Sequence, residues 1–344
     1  MHRRILKLAS LCAAGALASA AAQAQAQTPT SSVQLYGLVG LYFGKMERSG
    51  GPPSLVQLGQ GGLTTSYWGV RGSEDIGNGS RVVFALESFF QPDNGSFGRN
   101  ASDPAFSRNA YVGMEGGFGR FTAGRQTNPT YSNMALLSPF GGSTVFAPLV
   151  LQSFIGTYGG AIIGDTVWNN AFQYASPRVN GFAATAMYAL GEVADKTSTA
   201  NLGLHANYLS GPWTVALAAQ RVRVPVTAPI TQQKAYLAGI AYDFKVAKLY
   251  GSLGRTEASG IVNATRTHDI GVKVPVTKTG ALLAEVARTK REATGKAETV
   301  RTTASVGYDH RLSKRTDVYA VYSRDRLTGF DSGNTFALGI RHTF

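Results

Sequence analysis

The feature that most constrains this chain is a two-residue alternation of apolar and polar side chains that recurs from residue 33 to the C-terminus. In the last segment, 335–344, Phe336, Leu338 and Ile340 share one face, while Arg341 lies on the other. A period of two indicates a β-strand with one apolar and one polar face. The chain contains sixteen such segments: 33–43, 65–73, 81–91, 108–115, 120–126, 167–175, 182–190, 200–209, 213–222, 235–244, 247–257, 267–274, 281–289, 300–309, 317–324 and 335–344. The pattern therefore predicts an all-β chain.

The lengths of these segments and of their connections indicate a membrane barrel. Most segments have about the length, ~9–11 residues, that a tilted strand needs to cross a bilayer. Short connections, such as 116–119, 210–212 and 275–277, alternate with long ones, such as 44–64, 92–107, 223–234 and 291–299. This alternation is typical of outer-membrane barrels, whose short turns face the periplasm and whose long loops face outside. An even number of strands then places both termini on the periplasmic side.

Composition agrees with an apolar outer wall joined by many tight turns. Charged residues make up 15% of the chain, below the ~25% of an ordinary soluble domain, and there are 41 glycines. In lipid, strands satisfy their backbone hydrogen bonds only in a closed barrel, and sixteen strands leave a lumen that side chains cannot fill. A soluble sandwich or propeller is the alternative, but no blade-length repeat is visible. We therefore expect a sixteen-stranded antiparallel transmembrane barrel around an aqueous channel.

The N-terminus has the three parts of a secretory signal. Arg3, Arg4 and Lys7 precede an apolar stretch, 8–22, which is followed by the small-residue site Ala24-Gln25-Ala26. The stretch is shorter than the ~20 residues of a membrane-spanning helix. We expect cleavage after Ala26, with Ala24 as the second choice, so that 1–26 is removed and 27–344 forms a single barrel domain. The one cysteine, Cys12, lies inside the predicted signal.

The distribution of charge and the absence of certain sequence motifs argue against several other classes of protein. The net charge of +13 is compatible with nucleic-acid binding, but the basic residues are dispersed and an exported chain rarely meets nucleic acid. No metal-ligand spacing is present, and the Gly77-Asn78-Gly79 turn has no helix after it to cradle a phosphate. We therefore expect no cofactor, no metal and no nucleic-acid partner.

Several motifs together resemble one family. Segment 66–79, Ser-Tyr-Trp-Gly-Val-Arg-Gly-Ser-Glu-Asp-Ile-Gly-Asn-Gly, is similar to the second strand and first turn of the Gram-negative general porins, and 173–177, 242–250, 308–319 and the terminal Phe344 are similar to other parts of them. The resemblance covers the whole chain after the signal. It implies a homotrimer in the outer membrane, a third loop folded into each barrel, and a C-terminal Phe344 that the barrel-insertion machinery reads. The expected surroundings are outer-membrane lipid and lipopolysaccharide.

The third loop is predicted at 127–165, a connection whose length is unusual for a compact protein. Its sequence Ser138-Pro139-Phe140-Gly141-Gly142 is similar to the constriction motif of the family, which usually has an acidic residue between the proline and the phenylalanine. That acid is missing here. The loop contains no Lys or Arg, and its one ionisable acid is Asp165 at the far end.

Strand parity and the resemblance select candidate pore-lining residues. Parity turns Tyr67, Arg71 and Glu87 inward, and the resemblance makes Arg71 and Arg108 wall arginines of the pore. Guanidinium groups keep their charge at any relevant pH, and basic side chains in a narrow passage favour anions. We therefore predict a passive channel for small hydrophilic solutes with an anion preference, which Glu87 partly offsets. The predicted constriction set adds the loop residues Ser138, Pro139, Phe140, Gly141 and Gly142. Arg125 shares a face with Phe121 and Ala123 and is left outside the pore.

Three alternatives remain at this level. A substrate-specific channel would need a binding track, for which the apolar loop residues Phe140, Phe146, Leu149, Leu151, Phe154 and Ile155 are candidates, unless they pack against the inner wall. A barrel enzyme would need a nucleophile beside a histidine, and His205, His268, His310 and His342 stand in no such motif. An adhesin would act through the surface loops, and this role is compatible with channel activity.

Overall fold

The computed structural model describes residues 31–192, 199–224, 226–260 and 263–344, which form one antiparallel sheet. Its strands are β1 (Ser31–Met46), β2 (Leu55–Gln60), β3 (Tyr67–Gly77), β4 (Ser80–Phe89), β5 (Asn109–Gly116), β6 (Gly119–Thr127), β7 (Val167–Ala175), β8 (Phe182–Leu190), β9 (Ala200–Ser210), β10 (Trp213–Val222), β11 (Gln232–Asp243), β12 (Lys248–Ser259), β13 (Asn263–Pro275), β14 (Gly280–Ala293), β15 (Thr299–Arg311), β16 (Thr316–Leu327) and β17 (Gly333–Thr343). The predicted signal 1–26, with Cys12, lies outside the described residues.

The sheet closes because β1 pairs with the last strand, β17, on one side and with β2 and β3 on the other. The C-terminal part of β1 pairs with β2, with Met46 opposite Leu55, and its N-terminal part pairs with β3, with Leu38 opposite Tyr67. The end of the barrel that carries the long loops is called the upper end. Strands β2 and β3 therefore share one position in the barrel, interrupted at 61–66. The barrel has sixteen strand positions, which confirms the predicted fold.

The prediction that 44–64 is a loop is wrong over β2. Val56 and Leu58 are exposed and apolar and share the outer face, so this short segment continues the outer wall above the break. The six-residue strand Leu55–Gln60 is too short for its alternation to stand out from a loop. Other strands also extend past their predicted ends, and β1 reaches 16 residues.

Side chains alternate between the two faces of the barrel as predicted. On β17, Phe336, Leu338 and Ile340 are exposed on the outer face, whereas Ala337 is fully buried on the inner face. Successive side chains of a strand point to opposite faces, so one face of each strand meets lipid and the other meets the lumen. No helix among the described residues is long and apolar enough to span a bilayer.

Tight turns and long loops alternate around the barrel. Between β3 and β4 the chain reverses at Gly77-Asn78-Gly79, and all three residues have positive φ. Glycine and asparagine adopt this backbone conformation most easily, which is why two-residue hairpin turns favour them. The opposite end carries the long connections, among them 90–108 and 128–166.

The third loop, 128–166, folds into the barrel and carries two short helices, α1 (Pro129–Leu136) and α2 (Pro148–Phe154). Asn128 caps α1, since its side-chain oxygen accepts a hydrogen bond from Thr130 N at 2.9 Å. Pro129 occupies the first helical turn, where its missing N–H has no cost. The loop thus adds local structure of its own to the space that the strands enclose.

Candidate functional site

The third loop packs against one side of the inner wall and leaves the other side open. Its apolar residues form a core with inward-facing side chains of β10, β11, β14 and β16. Phe146 and Leu149 are fully buried there, and Phe140 is 3% exposed. The wall opposite them offers five alanines and five larger side chains, namely Ala216, Ala218, Ala235, Ala281, Ala337, Tyr42, Leu237, Leu283, Tyr319 and Val321. Most of the apolar stretch of the loop therefore packs against the wall, whereas Phe154 and Ile155 are half-buried and line a cavity of about 900 Å³.

Glu285 of β14 holds the turn of the loop. Its carboxylate accepts hydrogen bonds from Ser138 Oγ at 2.5 Å and from Leu149 N at 3.0 Å. Glu285 itself is 1% exposed, so its side chain lies behind the loop and away from the lumen. The wall thus supplies a carboxyl group to the turn of the loop, but this group does not face the lumen. Sequence reasoning missed this residue, although its inward parity on β14 was a usable signal.

The five predicted loop residues divide into two groups. Ser138, Pro139 and Phe140 are buried between the loop and the wall, and Phe140 packs against Gly307. Gly141 and Gly142 are half-buried. A side chain built at Gly141 would meet no atom, so this residue borders open space. The first group therefore attaches the loop to the wall, and the two glycines form an edge of the loop without side chains.

Polar contacts fix the remaining length of the loop. At α1, Asn128 Nδ2 and Thr130 Oγ1 both donate to Gln220 Oε1, at 3.0 and 2.7 Å. At α2, Gln152 Nε2 donates to Ala287 O at 2.9 Å and to Thr303 Oγ1 at 2.8 Å. The loop is thus attached to the wall at both helices as well as at its turn.

The loop also reaches the break between β2 and β3. Ser143 Oγ donates to Gly62 O at 2.6 Å, and Tyr319 Oη donates to Gly61 O at 3.2 Å. Gly62 has φ +91, and a Cβ there would collide with the Tyr319 hydroxyl. Glycine is therefore required at Gly62, and the strand break serves as a contact for the loop.

The open side of the lumen is a polar passage lined by β1 and β3–β9. One cavity of about 510 Å³ lies along β1 and β3–β6, and a second of about 260 Å³ lies between α1 and β5–β9. Both cavities include Tyr111 and Arg120, so they adjoin each other. The charged side chains lining them are Arg71, Arg81, Glu87, Arg108, Glu115 and Arg120. Four arginines and two glutamates give this passage a net positive charge.

Glu87 and Arg108 form an ion pair at the upper end of this passage. Tyr36 and Asn109 also donate hydrogen bonds to the Glu87 carboxylate, which is 4% exposed. The Arg108 guanidinium lies 4.2 Å from the centre of the Tyr67 ring. Glu87 thus offsets the charge of Arg108 directly, and Tyr67 keeps the arginine flat against the wall.

Arg71 is held by neutral groups. Its Nε and second Nη donate to Gln34 Oε1 at 3.1 and 2.9 Å, and its guanidinium lies 4.6 Å from the centre of the Tyr36 ring. Within the part of the chain that the structure describes, Arg71 has no ion-pair partner. Its charge is therefore positioned by hydrogen bonds and stacking but is not neutralised.

Two further arginines near the β5–β6 turn were not predicted. Arg81 Nε lies 3.0 Å from Glu115 Oε1, and Arg120 Nε donates to Glu115 Oε2 at 2.6 Å. One carboxylate thus serves two guanidinium groups, and one positive charge is left over. Inward parity on β4 and β6 was the signal, but it does not reveal which charges meet across strands.

Asp165, the acid at the end of the third loop, joins a latch with the second loop. Arg99 bridges it to Asp103, with Nη–Oδ distances of 2.7 Å to Asp165 and 2.8 Å to Asp103. Burial raises the pKa of the Asp165 carboxyl, but hydrogen bonds from Arg99 outweigh this effect and leave the pKa below its usual value. Arg125 approaches Asp165 at 3.6 Å from the outer face. The loop's acid is thus neutralised by arginines.

Two of the described histidines, His205 and His268, lie on opposite faces of the wall. His205 Nε2 lies 2.8 Å from Thr130 Oγ1 and is buried. His268 is exposed on the outer face of β13, whereas its sequence neighbour Asp269 is buried on the inner face. Among the described residues there is no cluster of three or more His, Cys, Asp or Glu suited to a metal ion.

Comparison with known proteins gives consistent matches over nearly the whole chain. The family model for Gram-negative porins matches residues 9–329. Outer membrane porin protein 32 of Delftia acidovorans is 29% identical, with 99% of this chain and 95% of that protein aligned. An outer membrane porin of Bordetella pertussis is 28% identical over 81% of this chain and 82% of its own length. The solved structure of an anion-selective porin from Comamonas acidovorans has a TM-score of 0.77 at 26% identity, covering 91% of this chain and 100% of that one.

Proposed function

The chain belongs to the Gram-negative porin family and forms an outer-membrane channel for passive diffusion, and we propose that its anion preference arises from the arginines of the open passage. The observation that carries the proposal is the charge of the lining, with Arg71 free of any described acidic partner and Arg81 and Arg120 sharing one glutamate. Fixed positive charge in a narrow passage attracts anions and repels cations. The similarity to a solved porin described as anion-selective supports the same conclusion.

We propose the following roles for the predicted site residues. Arg71 and Arg108 supply the charge, while Tyr67 and Glu87 position or offset it. Ser138, Pro139 and Phe140 act indirectly by keeping the third loop on the opposite wall. Gly141 and Gly142 have no side chains, so that this edge of the loop does not narrow the passage.

Planar-bilayer recording under a salt gradient tests the proposal. The refolded chain should show a reversal potential of the sign expected for anion preference. The Arg71→Gln variant should shift that potential toward zero, because it removes the least compensated charge of the lining. Arg255→Gln is the matched control, since Arg255 is exposed on the outer face and paired with Glu257 at 2.5 Å. Cation preference in the unmodified channel, or equal shifts in both variants, would contradict the proposal.

Assembly and biogenesis are further parts of the proposal. We propose a homotrimer surrounded by outer-membrane lipid and lipopolysaccharide, with both termini in the periplasm. The C-terminal Phe344 supports a role in insertion: Phe344 N donates to Gly37 O at 3.0 Å, so the last residue still takes part in closing the barrel. Native mass spectrometry tests the trimer, and N-terminal sequencing of the exported protein tests removal of residues 1–26.

The alternative functions have separate tests. An esterase assay on the refolded barrel should give no turnover above the heat-denatured sample if the chain is not an enzyme. A substrate-specific channel would show saturation of current block by one solute class, and an adhesin would bind host or bacterial surfaces through its loops. The polar lining of the α1 cavity, which includes Gln126, Gln173 and Asn207, would be the place for such solute selection.

A further inference from the structure

The row of inward-facing side chains that contains Arg71 also contains a small apolar surface. The register places Arg71 of β3 opposite Ala85 of β4, and Ala85 opposite Tyr111 of β5. Val83 is the next inward-facing residue of β4, and all four residues line the cavity of about 510 Å³ along β1 and β3–β6. Ala85 and Val83 therefore form an apolar floor between an arginine on one side and a tyrosine on the other.

The ring of Tyr111 differs from the other two tyrosine rings of this cavity. Tyr36 carries the guanidinium of Arg71 at 4.6 Å from its ring centre, and Tyr67 carries that of Arg108 at 4.2 Å. Within the described ranges, Tyr111 makes no such contact with a cation or with another ring. It is half-buried and borders both cavities of the passage, so its ring can be reached from the lumen by a planar group.

Arg71 supplies an available positive charge beside the apolar floor. The other three arginines of the cavity form ion pairs with Glu87 or Glu115. Arg71 is exposed, and its Nε and second Nη both donate to Gln34 Oε1. Among the described residues, no group accepts a hydrogen bond from its first Nη. One guanidinium with free donors therefore stands across the floor from one free aromatic ring.

The spacing of these groups selects the shape of a ligand. Neighbouring strands are ~4.8 Å apart, so the backbones of Arg71 and Tyr111 are separated by roughly 10 Å. Two aromatic rings interact favourably at ~4.5–7 Å between their centres, and a carboxylate oxygen lies ~2.8 Å from a guanidinium nitrogen to which it is hydrogen-bonded. A ligand whose carboxylate is attached directly to a planar ring therefore reaches both groups and covers Ala85 and Val83. A small anion without a ring reaches only the arginine.

We propose that Arg71, Val83, Ala85 and Tyr111 form a binding site for aromatic carboxylates on their way through the channel. The carboxylate accepts charge-assisted hydrogen bonds from Arg71, the ring packs against Tyr111, and the apolar floor removes part of the ring from water. Inorganic anions feel the charge of Arg71 alone and pass without being retained. The inference rests on the proposed function, because it assigns a class of solute to the same passage.

Block of the chloride current in planar bilayers tests this site, with benzoate as the probe. The refolded chain conducts potassium chloride at neutral pH while benzoate, cyclohexanecarboxylate or benzamide is added in separate titrations. Cyclohexanecarboxylate has the same charge as benzoate but no planar ring, whereas benzamide is planar but neutral. Half-maximal block should need about fivefold less benzoate than cyclohexanecarboxylate, because only benzoate stacks on Tyr111. Benzamide should not block at the concentrations at which benzoate does.

Two variants of Tyr111 examine the contribution of its ring. Tyr111→Leu keeps an apolar side chain but removes the ring, so the difference between benzoate and cyclohexanecarboxylate should disappear. Tyr111→Phe keeps the ring and should retain the difference. Tyr236→Leu is the matched control, because Tyr236 is exposed on the outer face of β11, and this variant should behave as the unmodified chain does.

Three results would overturn the proposal. The first is equal block of the unmodified chain by benzoate and cyclohexanecarboxylate, a comparison that does not depend on the folding of any variant. The second is block by benzamide at the same concentrations as benzoate, and the third is an unchanged difference in Tyr111→Leu. The proposed function fails on a separate result, namely cation preference in a potassium chloride gradient without any added carboxylate.

Discussion

Arg71 and Arg108 have the same side chain but do not offer the same charge to a passing ion. Arg108 forms an ion pair with Glu87, whereas Arg71 is held by the neutral Gln34 and Tyr36 and has no acidic partner among the described residues. Strand parity was sufficient to predict that Arg71 and Glu87 face inward. It was insufficient to predict the pairing, because two side chains on one face meet only if the register and their rotamers allow it.

The Glu87→Gln variant should strengthen anion preference. It removes one negative charge from the lining, while the amide oxygen can still accept from Tyr36 or Asn109. A unit charge about 5 Å from an ion contributes roughly 1 kcal/mol in a water-like dielectric, so the anion-to-cation permeability ratio should rise several-fold. Reversal potentials at low salt measure this ratio, and Glu292→Gln, an outer-face glutamate, is the control. An unchanged ratio would mean that Glu87 does not act on permeating ions.

At the scale of single elements, the third loop could be predicted in its place and length but not in its attachment. The gap between two alternating segments predicts a loop at 127–165, and the loop is observed at 128–166. The prediction succeeds because a long interruption of the alternation is visible in the sequence. The inward direction of Glu285 could be predicted from its parity on β14, but its role as the anchor could not, because parity does not identify the partner of a side chain. The short strand β2 was missed for a related reason: six residues are too few for a reliable period.

The Glu285→Ala variant should loosen the loop without unfolding the barrel. Two hydrogen bonds to a carboxylate are lost, and each contributes about 1.5–3 kcal/mol, which leaves Ser138 Oγ and Leu149 N without their partner. The sheet keeps all of its backbone hydrogen bonds. We expect noisier open-channel current and faster hydrogen exchange at 138–154, with an unchanged β-sheet circular dichroism spectrum. A quiet channel with normal exchange in the loop would show that the remaining contacts suffice.

The latch between the second and third loops, formed by Arg99, Asp103 and Asp165, should open only at acidic pH. The pKa values of Asp103 and Asp165 are lowered in the fold, since the opposing effect of burial is outweighed by hydrogen bonds from Arg99. A carboxylate with a lowered pKa stabilises the fold above its usual value of 3.8, and this stabilisation is lost as the pH falls through the lowered value. The latch should therefore be complete at neutral pH and open well below pH 3.8.

Acid-stable protease digestion of the second loop, 92–107, measures this latch. Cleavage should be slow near neutral pH and should increase as the pH drops below 3.8. The Asp165→Asn variant is the control, because its loop should be cleaved rapidly at every pH tested. Equal protection of the variant and the unmodified chain would show that the ion pair with Arg99 does not hold the two loops together.

At the scale of the whole molecule, the barrel and the loop core are separable. The sheet closes through its own ladder, and the two ends of the loop are adjacent, because Thr127 pairs with Val167 and Asn128 N donates to Thr166 O at 2.8 Å. Five of the ten buried strand residues in the loop core are alanines, whose exposure to water costs little. Alternation along the chain predicts the closed sheet, whereas the packing of loop on wall depends on side-chain fit that a period does not encode.

Replacing residues 129–164 with a short Gly-Ser linker should therefore give a folded barrel with a wider and less anion-selective pore. Removal of the loop opens the covered half of the lumen, so single-channel conductance should increase several-fold. It also uncovers Glu285 and Asp269, which are 1% and 3% exposed behind the loop, and two carboxylates in the lumen would oppose the arginine wall. Heat-modifiable electrophoresis checks folding, and bilayer recording measures both changes. If the variant folds but keeps its conductance and selectivity, the loop does not limit the passage; if it fails to fold, the loop core is part of what holds the barrel together.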